Sequence, residues 1–150
     1  MEILNPFSTQ SYIIKDRFHA GVVLTGPEVK SCKRSRVNFK GAYCGFADAA
    51  MFSLVVKRFY IAPYPPARRE QKHYDAYRSR ILLLKKNELR KLRSLAETPG
   101  ATIIPLRLFT LRNFVKLEIA VATGLKKYDK REKLKKREFT RRKARLVSRG

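Results

Sequence analysis

The stretch Phe18-His19-Ala20-Gly21-Val22-Val23-Leu24-Thr25-Gly26-Pro27-Glu28 changes its period partway along, and that change decides the fold. Phe18, Ala20, Val22 and Leu24 fall on every second position, the period of a strand with one face in a core, and His19 and Gly21 face the other way. The run stops at Thr25-Gly26-Pro27-Glu28. Thr25 can cap a helix, Glu28 stands three residues on to complete a capping box, and a proline is tolerated in a first turn. A short helix to about Ser35 is therefore expected straight after a half-buried strand.

Outward from this junction the chain reads as further short strands. Ala42–Phe46 and Met51–Ile61 are strand-like, and the second ends in Pro63-Tyr64-Pro65-Pro66, which cannot continue a ladder. A loop is expected from there to about Tyr77. Between Leu84 and Ala96, Leu89, Leu92, Leu95 and Ala96 share one helical face, with Arg90, Lys91 and Arg93 on the other; Thr98-Pro99-Gly100 ends the segment. Beyond it Ile104, Leu106 and Leu108 alternate, as do Val115, Leu117, Ile119 and Val121, with a turn at Thr110–Asn113. They read as a hairpin, with Lys116 and Glu118 projecting from its non-core face. Five or six short strands with two interposed helices and no βαβ rhythm predict a mainly β protein, its antiparallel sheet curled into a small barrel with two flanking helices.

Charge divides the chain. Residues 126–150 hold thirteen of the thirty-five Lys and Arg side chains against three acidic ones, a net +10 out of +23. At 150 residues and 44% hydrophobic, one domain over residues 1–125 with a basic tail over 126–150 is the economical division. Charge of this size resists compaction, and a polyanion that releases counterions on binding is the expected partner. An anionic membrane surface would also attract it, but the tail lacks the apolar face that a surface binder needs. The N-terminal MEILNPFSTQ has no basic run before an apolar stretch, and no apolar run approaches eighteen residues, so neither secretion nor membrane spanning is expected. Cys32 and Cys44 form no CxxC pair and lie far from His19 and His73, which points away from zinc and toward two buried thiols in a reducing compartment.

Catalysis leaves little trace. There is no Gly-rich phosphate loop, GxSxG or HExxH, and the scattered carboxylates are outnumbered by cations, so no enzyme, cofactor or metal is expected. Basic residues are instead interleaved with aromatic ones: Lys57-Arg58-Phe59-Tyr60, Tyr64, Arg68-Arg69, Lys72, Tyr74, Tyr77, Arg78 and Arg80. Cations that hold phosphates beside rings that stack on bases suit a protein gripping irregular RNA; the competing reading packs Tyr60 and Tyr77 in the core and leaves the charges as a solvated rim. In the tail, Asp129-Lys130-Arg131-Glu132 has the spacing of an Asp-capped helix start. Leu134, Phe139, Leu146 and Val147 are too thin a stripe to bury, so the tail is expected to be disordered when free and helical on RNA.

The segment Ala20-Gly21-Val22-Val23-Leu24-Thr25-Gly26-Pro27-Glu28-Val29-Lys30-Ser31 closely resembles the AGxxLTGxEVKS signature of the small protein B family, the SsrA-binding proteins of bacterial trans-translation. Ala62-Pro63-Tyr64, Arg78-Ser79-Arg80 running into Leu82-Leu83-Leu84, and Tyr128-Asp129-Lys130-Arg131 before a basic tail agree in order. The resemblance implies a barrel of the oligonucleotide-binding type, no enzymatic activity and no cofactor. It implies a cytoplasmic monomer, an organellar matrix also fitting, whose barrel holds the tRNA-like domain of transfer-messenger RNA. Its tail would enter the empty mRNA channel of a stalled ribosome near the small-subunit decoding centre. By position the family's RNA-binding residues fall on His19, Gly21, Leu83, Lys116, Gly124 and Lys126. The ribosome-accommodation motif falls on Tyr128, Asp129, Lys130 and Arg131, and Lys135, Lys136, Arg141, Arg142 and Arg145 would meet ribosomal RNA.

The departures are specific. His19 stands where the family usually has Glu, Thr123 and Leu125 where lysines are common, and Tyr74 and Ala76 replace residues of an HDPxRxR motif. The basic arm before the first strand is missing. Such drift suits a divergent member from a reduced genome or an organelle, with an altered RNA partner. A second reading from a different class is a structural ribosome component that binds ribosomal RNA and reuses the fold without transfer-messenger RNA.

Overall fold

The structure, a computed structural model, describes residues 1–8, 12–48 and 53–124. Its elements are β1 (Glu2–Leu4), β2 (Tyr12–Val22), α1 (Gly26–Lys33), β3 (Val37–Asn38), β4 (Tyr43–Phe46), β5 (Leu54–Lys57), β6 (Tyr60–Ile61), a 3-10 turn (Pro65–Gln71), β7 (Arg80–Leu83), α2 (Lys86–Ala96), β8 (Ala101–Leu111) and β9 (Phe114–Gly124). Every strand pairing is antiparallel. The order β8-β4-β5-β7-β2-β9 returns to β8, so six strands close on themselves, with β1 added beside β8 and β3–β6 forming a separate ribbon. The closure is uneven: β8 and β9 pair along almost their whole length, whereas β4 meets β8 only at Cys44 and Ile103.

The strand-to-helix junction forms as the sequence predicts. Thr25 caps α1, its Oγ1 accepting from the Glu28 amide at 3.4 Å while Glu28 Oε1 accepts from the Thr25 amide at 2.9 Å. Phe18 and Ala20 enter the core with Leu54, Val56, Phe59, Ile61, Leu92, Leu108, Leu117 and Ile119. Of the amphipathic segment, Leu92 is fully buried, and Leu89, Leu95 and Ala96 pack against the same core. Burial of this apolar surface is the main favourable term in folding.

Three expectations are corrected. The strand expected over Met51–Ile61 is two elements in different sheets, because Arg58 adopts a left-handed φ of 56° and turns the chain between β5 and β6. The helix expected from Leu84 begins at Lys86, since Arg80–Leu83 forms a strand that bridges β5 and β2. In the hairpin, Ile104 and Leu106 do not share a face with Leu108: the register slips between Pro105 and Arg107, and a one-residue bulge reverses the alternation. Ile104 and Leu106 consequently pack with Ala120, Ala122, Tyr12 and Ile14 in a second cluster, while Leu108 enters the main core. Asn5 ties the N-terminal segment to that bulge by donating its side-chain amide to the Pro105 carbonyl at 2.7 Å.

Candidate nucleic-acid interface

Two polar constellations organise the surface, and they have opposite characters. The first is buried and structural. Glu28, with no exposure, accepts from the Thr25 amide, from both Nε and Nη2 of Arg78, and from Nε of Arg80 at 2.6 Å. Arg80 is equally buried and spends all five of its N–H bonds, the others going to the carbonyls of Phe59, Arg78 and Ala76 and to the Tyr74 hydroxyl. That hydroxyl lies 3.1 Å from Glu28 and 2.9 Å from the Ile61 carbonyl. Burial alone would raise the Glu28 pKa, but the bonds from Arg78, the Thr25 amide and Arg80 outweigh it and hold the carboxyl at about 2. The Tyr74 phenol, desolvated by burial beside Glu28, is pushed up to about 12.

This network removes residues from the interleaved basic-aromatic segment that the sequence suggested for RNA. Tyr74, Arg78 and Arg80 lock α1 to the barrel. Phe59 is fully buried against Phe39, with ring centroids 4.9 Å apart, Tyr64 lies beneath Lys30 and Arg34, and Tyr60 stacks on Tyr77. Arg68, Arg69, Lys72 and Tyr77 remain exposed. The signal that could have revealed the network is Glu28 itself, the one carboxylate between Asp16 and Asp48, since buried charge requires opposite charge.

The second constellation is open. In register, Gly21 stands beside Leu83 on β7 and Lys116 on β9. A Cβ added at Gly21 would lie 3.4 Å from the Leu83 Cβ and 3.7 Å from the Lys116 Nζ, ordinary contact distances, so these two side chains flank the position directly. The three line a cleft of about 310 Å³ with Val22, Val29 and the exposed Phe114. One step along the same face, His19 pairs across the strands with Glu118. The Glu118 side chain, 7% exposed, accepts from Arg107 Nε at 2.6 Å and lies 3.3 Å from His19 Nε2 and 3.4 Å from Arg17 Nη1. It occupies the non-core face expected of it but is sunk beneath cations, held ionised as the bonds from Arg107 and His19 overcome the desolvation that raises its pKa.

Of the sequence-predicted RNA-binding residues, the structure brings together His19, Gly21, Leu83 and Lys116. Gly124 is not among them. It pairs with Tyr12 at the far end of β2, roughly 30 Å along the strand from Gly21 at about 3.3 Å per residue. Lys126, Tyr128, Asp129, Lys130, Arg131, Lys135, Lys136, Arg141, Arg142 and Arg145 lie outside the described residues, as does the expected tail helix. Both cysteines are free and buried, and burial raises their thiols, Cys32 to about 12. Among the described residues no three His, Cys, Asp or Glu side chains gather as metal ligands, and no helix is long and apolar enough to cross a membrane.

Fold and surface together define a class: a small closed antiparallel barrel of the oligonucleotide-binding type, whose wall carries a largely apolar cleft with Lys116 in its lining. The family model described as SmpB protein matches residues 3–149, and the chain belongs to that family. It is 41% identical over 140 residues to the SsrA-binding protein of Mycoplasmopsis pulmonis, covering 93% of this chain and 91% of that one. To the SsrA-binding protein of Cupriavidus taiwanensis it is 42% identical over 139 residues, with the same coverage. A solved structure described as "tmRNA-SmpB: a journey to the center of the bacterial ribosome" superposes with a TM-score of 0.65 at 34% identity, covering 87% of this chain and 92% of that chain. The resemblance read from four blocks of sequence is thus borne out, as is the fold class.

Proposed function

We propose that this chain is a trans-translation factor: its barrel binds the tRNA-like domain of transfer-messenger RNA, and the complex is delivered to stalled ribosomes. The carrying observation is convergence. Gly21, Leu83 and Lys116 come from three separate stretches of sequence and meet at one cleft, with His19 beside them. A lysine for phosphate, an apolar side chain for a base or sugar face and a glycine that admits close approach suit recognition by shape rather than by base edges. The protein works as a non-enzymatic adaptor in the compartment that holds the ribosomes. Residues 126–150, with Tyr128, Asp129, Lys130 and Arg131 at the entry, supply the charge for the vacant mRNA channel.

The test is a binding titration of the full chain against the tRNA-like domain of its own organism's transfer-messenger RNA. Affinity is expected to fall with salt at a log–log slope near −0.7 to −0.9 per phosphate neutralised. Lys116→Ala is expected to weaken binding by about 1 kcal/mol or more while thermal unfolding stays within about 0.5 kcal/mol. A structural ribosome component would instead remain stoichiometric on ribosomes and carry no small RNA through purification.

A further inference from the structure

A second cleft opens at the other end of β2 from Gly21, where β4 and β8 pair only through Cys44 and Ile103. Tyr43 on β4 and Thr102 on β8 line it from opposite sides of that gap, together with Tyr12, Phe39 and Phe7. Its volume is about 260 Å³, and none of the described residues that line it carries a charge, in a chain where 31% of residues do. Phe7 and Tyr43 are 40% and 38% exposed, so aromatic surface is left in water that burial would favour. The polar groups are already engaged. Asn5 donates to the Pro105 carbonyl and accepts from the Phe7 amide, and the Ser8 hydroxyl donates to the Asn5 carbonyl. The cleft is suited to an uncharged ring rather than to phosphate.

The chain itself carries such a ring to this place. Gly124, the last residue of β9, pairs with Tyr12, so whatever follows the strand starts at the rim of the cleft. The next four residues are Leu125-Lys126-Lys127-Tyr128. Strand alternation turns Leu125 away from the Tyr12 side, and either lysine would leave an unpaired charge among apolar walls. Tyr128 is the first uncharged side chain with the reach to fold back, about 13 Å at about 3.3 Å per residue. A cavity of roughly 150 Å³ holds a benzene ring, so this cleft has room for a phenol. A tether this short supplies an effective concentration on the order of 1 mM, enough to populate a contact too weak to form between separate molecules.

We infer that, before any RNA is bound, residues 125–128 fold back on the barrel and seat the Tyr128 ring in this cleft. A second copy of the chain is a poorer occupant, because a net charge of +23 opposes its approach. So is a base from a nucleic acid, since no cation in the lining would hold its phosphate. The docked ring gives the basic tail a fixed point of departure from the barrel, and it withholds Tyr128 until a partner outcompetes the cleft. None of this depends on what the Gly21 cleft binds.

The natural chain has no tryptophan, so Y128W carries a single reporter. The experiment compares the fluorescence of Y128W with that of F139W, whose reporter sits far along the tail, in the full chain without RNA. Y128W is expected to emit at shorter wavelength than F139W and to be quenched several-fold less by acrylamide. Adding F7K or Y43K, each at an exposed position of the rim, is expected to return Y128W to the behaviour of F139W while circular dichroism stays that of the natural chain. A second measurement keeps the natural tyrosine: trypsin is expected to cleave after Lys126 several-fold more slowly in the natural chain than in F7K or Y43K. Y128W that matches F139W, shielding that survives both rim substitutions or that grows with protein concentration, or equal cleavage rates would overturn the inference. Since no RNA is present, such a failure would leave the RNA-binding reading of the Gly21 cleft standing.

Discussion

Glu28 shows how much one carboxylate can organise in a chain of net charge +23. It caps α1, anchors two arginines and sits against a half-buried phenol. Replacing it with glutamine would strand Arg80 as a fully buried, uncompensated charge, a loss of about 3–5 kcal/mol. Urea denaturation of E28Q is expected to show that loss at neutral pH. Because the folded carboxyl is held at about 2 against an ordinary 4.5, its stabilisation is complete above the ordinary value and is lost as pH falls through the folded one. The natural chain should therefore lose more stability over that acid window than E28Q, which keeps only the share that Glu118 contributes. The capping half of this role was legible, since Thr25 and Glu28 have capping-box spacing. The other half was not, because spacing does not tell which cations share one buried carboxylate, and Tyr74, Arg78 and Arg80 look like surface RNA contacts in a string of bases and rings.

Among elements, the β8–β9 hairpin is the clearest case of a pattern read correctly with its parity misplaced. Its two strands and its turn are where the alternation puts them. The bulge at Pro105–Arg107 then moves Ile104 and Leu106 to the opposite face, which alternation cannot reveal when residues on both faces are apolar. β7 was hidden for a related reason: Ile81-Leu82-Leu83-Leu84 is apolar throughout, with no period to separate inward Leu82 from outward Leu83. The hairpin turn carries a cost that can be measured. Arg112 and Asn113 both adopt left-handed φ, 49° and 71°, as a two-residue turn of the primed type requires, and arginine is a poor occupant of such a position. Arg112→Asn is expected to raise stability by about 0.5–1 kcal/mol and Arg112→Val to lower it by about 1–2 kcal/mol. Thermal unfolding that moved the same way for both would exclude turn strain as the cause.

At the scale of the molecule, charge separates into a cationic barrel and a tail of higher charge density. Deleting residues 129–150 is expected to leave binding to the tRNA-like domain nearly intact while abolishing tagging of peptides on ribosomes stalled at an mRNA end; normal tagging would reduce the tail to a solvated charge run. The barrel's uneven closure reaches beyond architecture. The single residue pair between β4 and β8 is the shortest junction of the ring, so this is its preferred place to come apart, and Cys44 is one half of that pair. Its thiol is fully shielded and its pKa raised by burial, so under native conditions it reacts only when the seam parts. Cys32, on the helix fastened by Glu28, should be released only by a larger unfolding event. Alkylation followed by mass spectrometry is expected to modify Cys44 well before Cys32, which makes this thiol a clock for the breathing of the barrel.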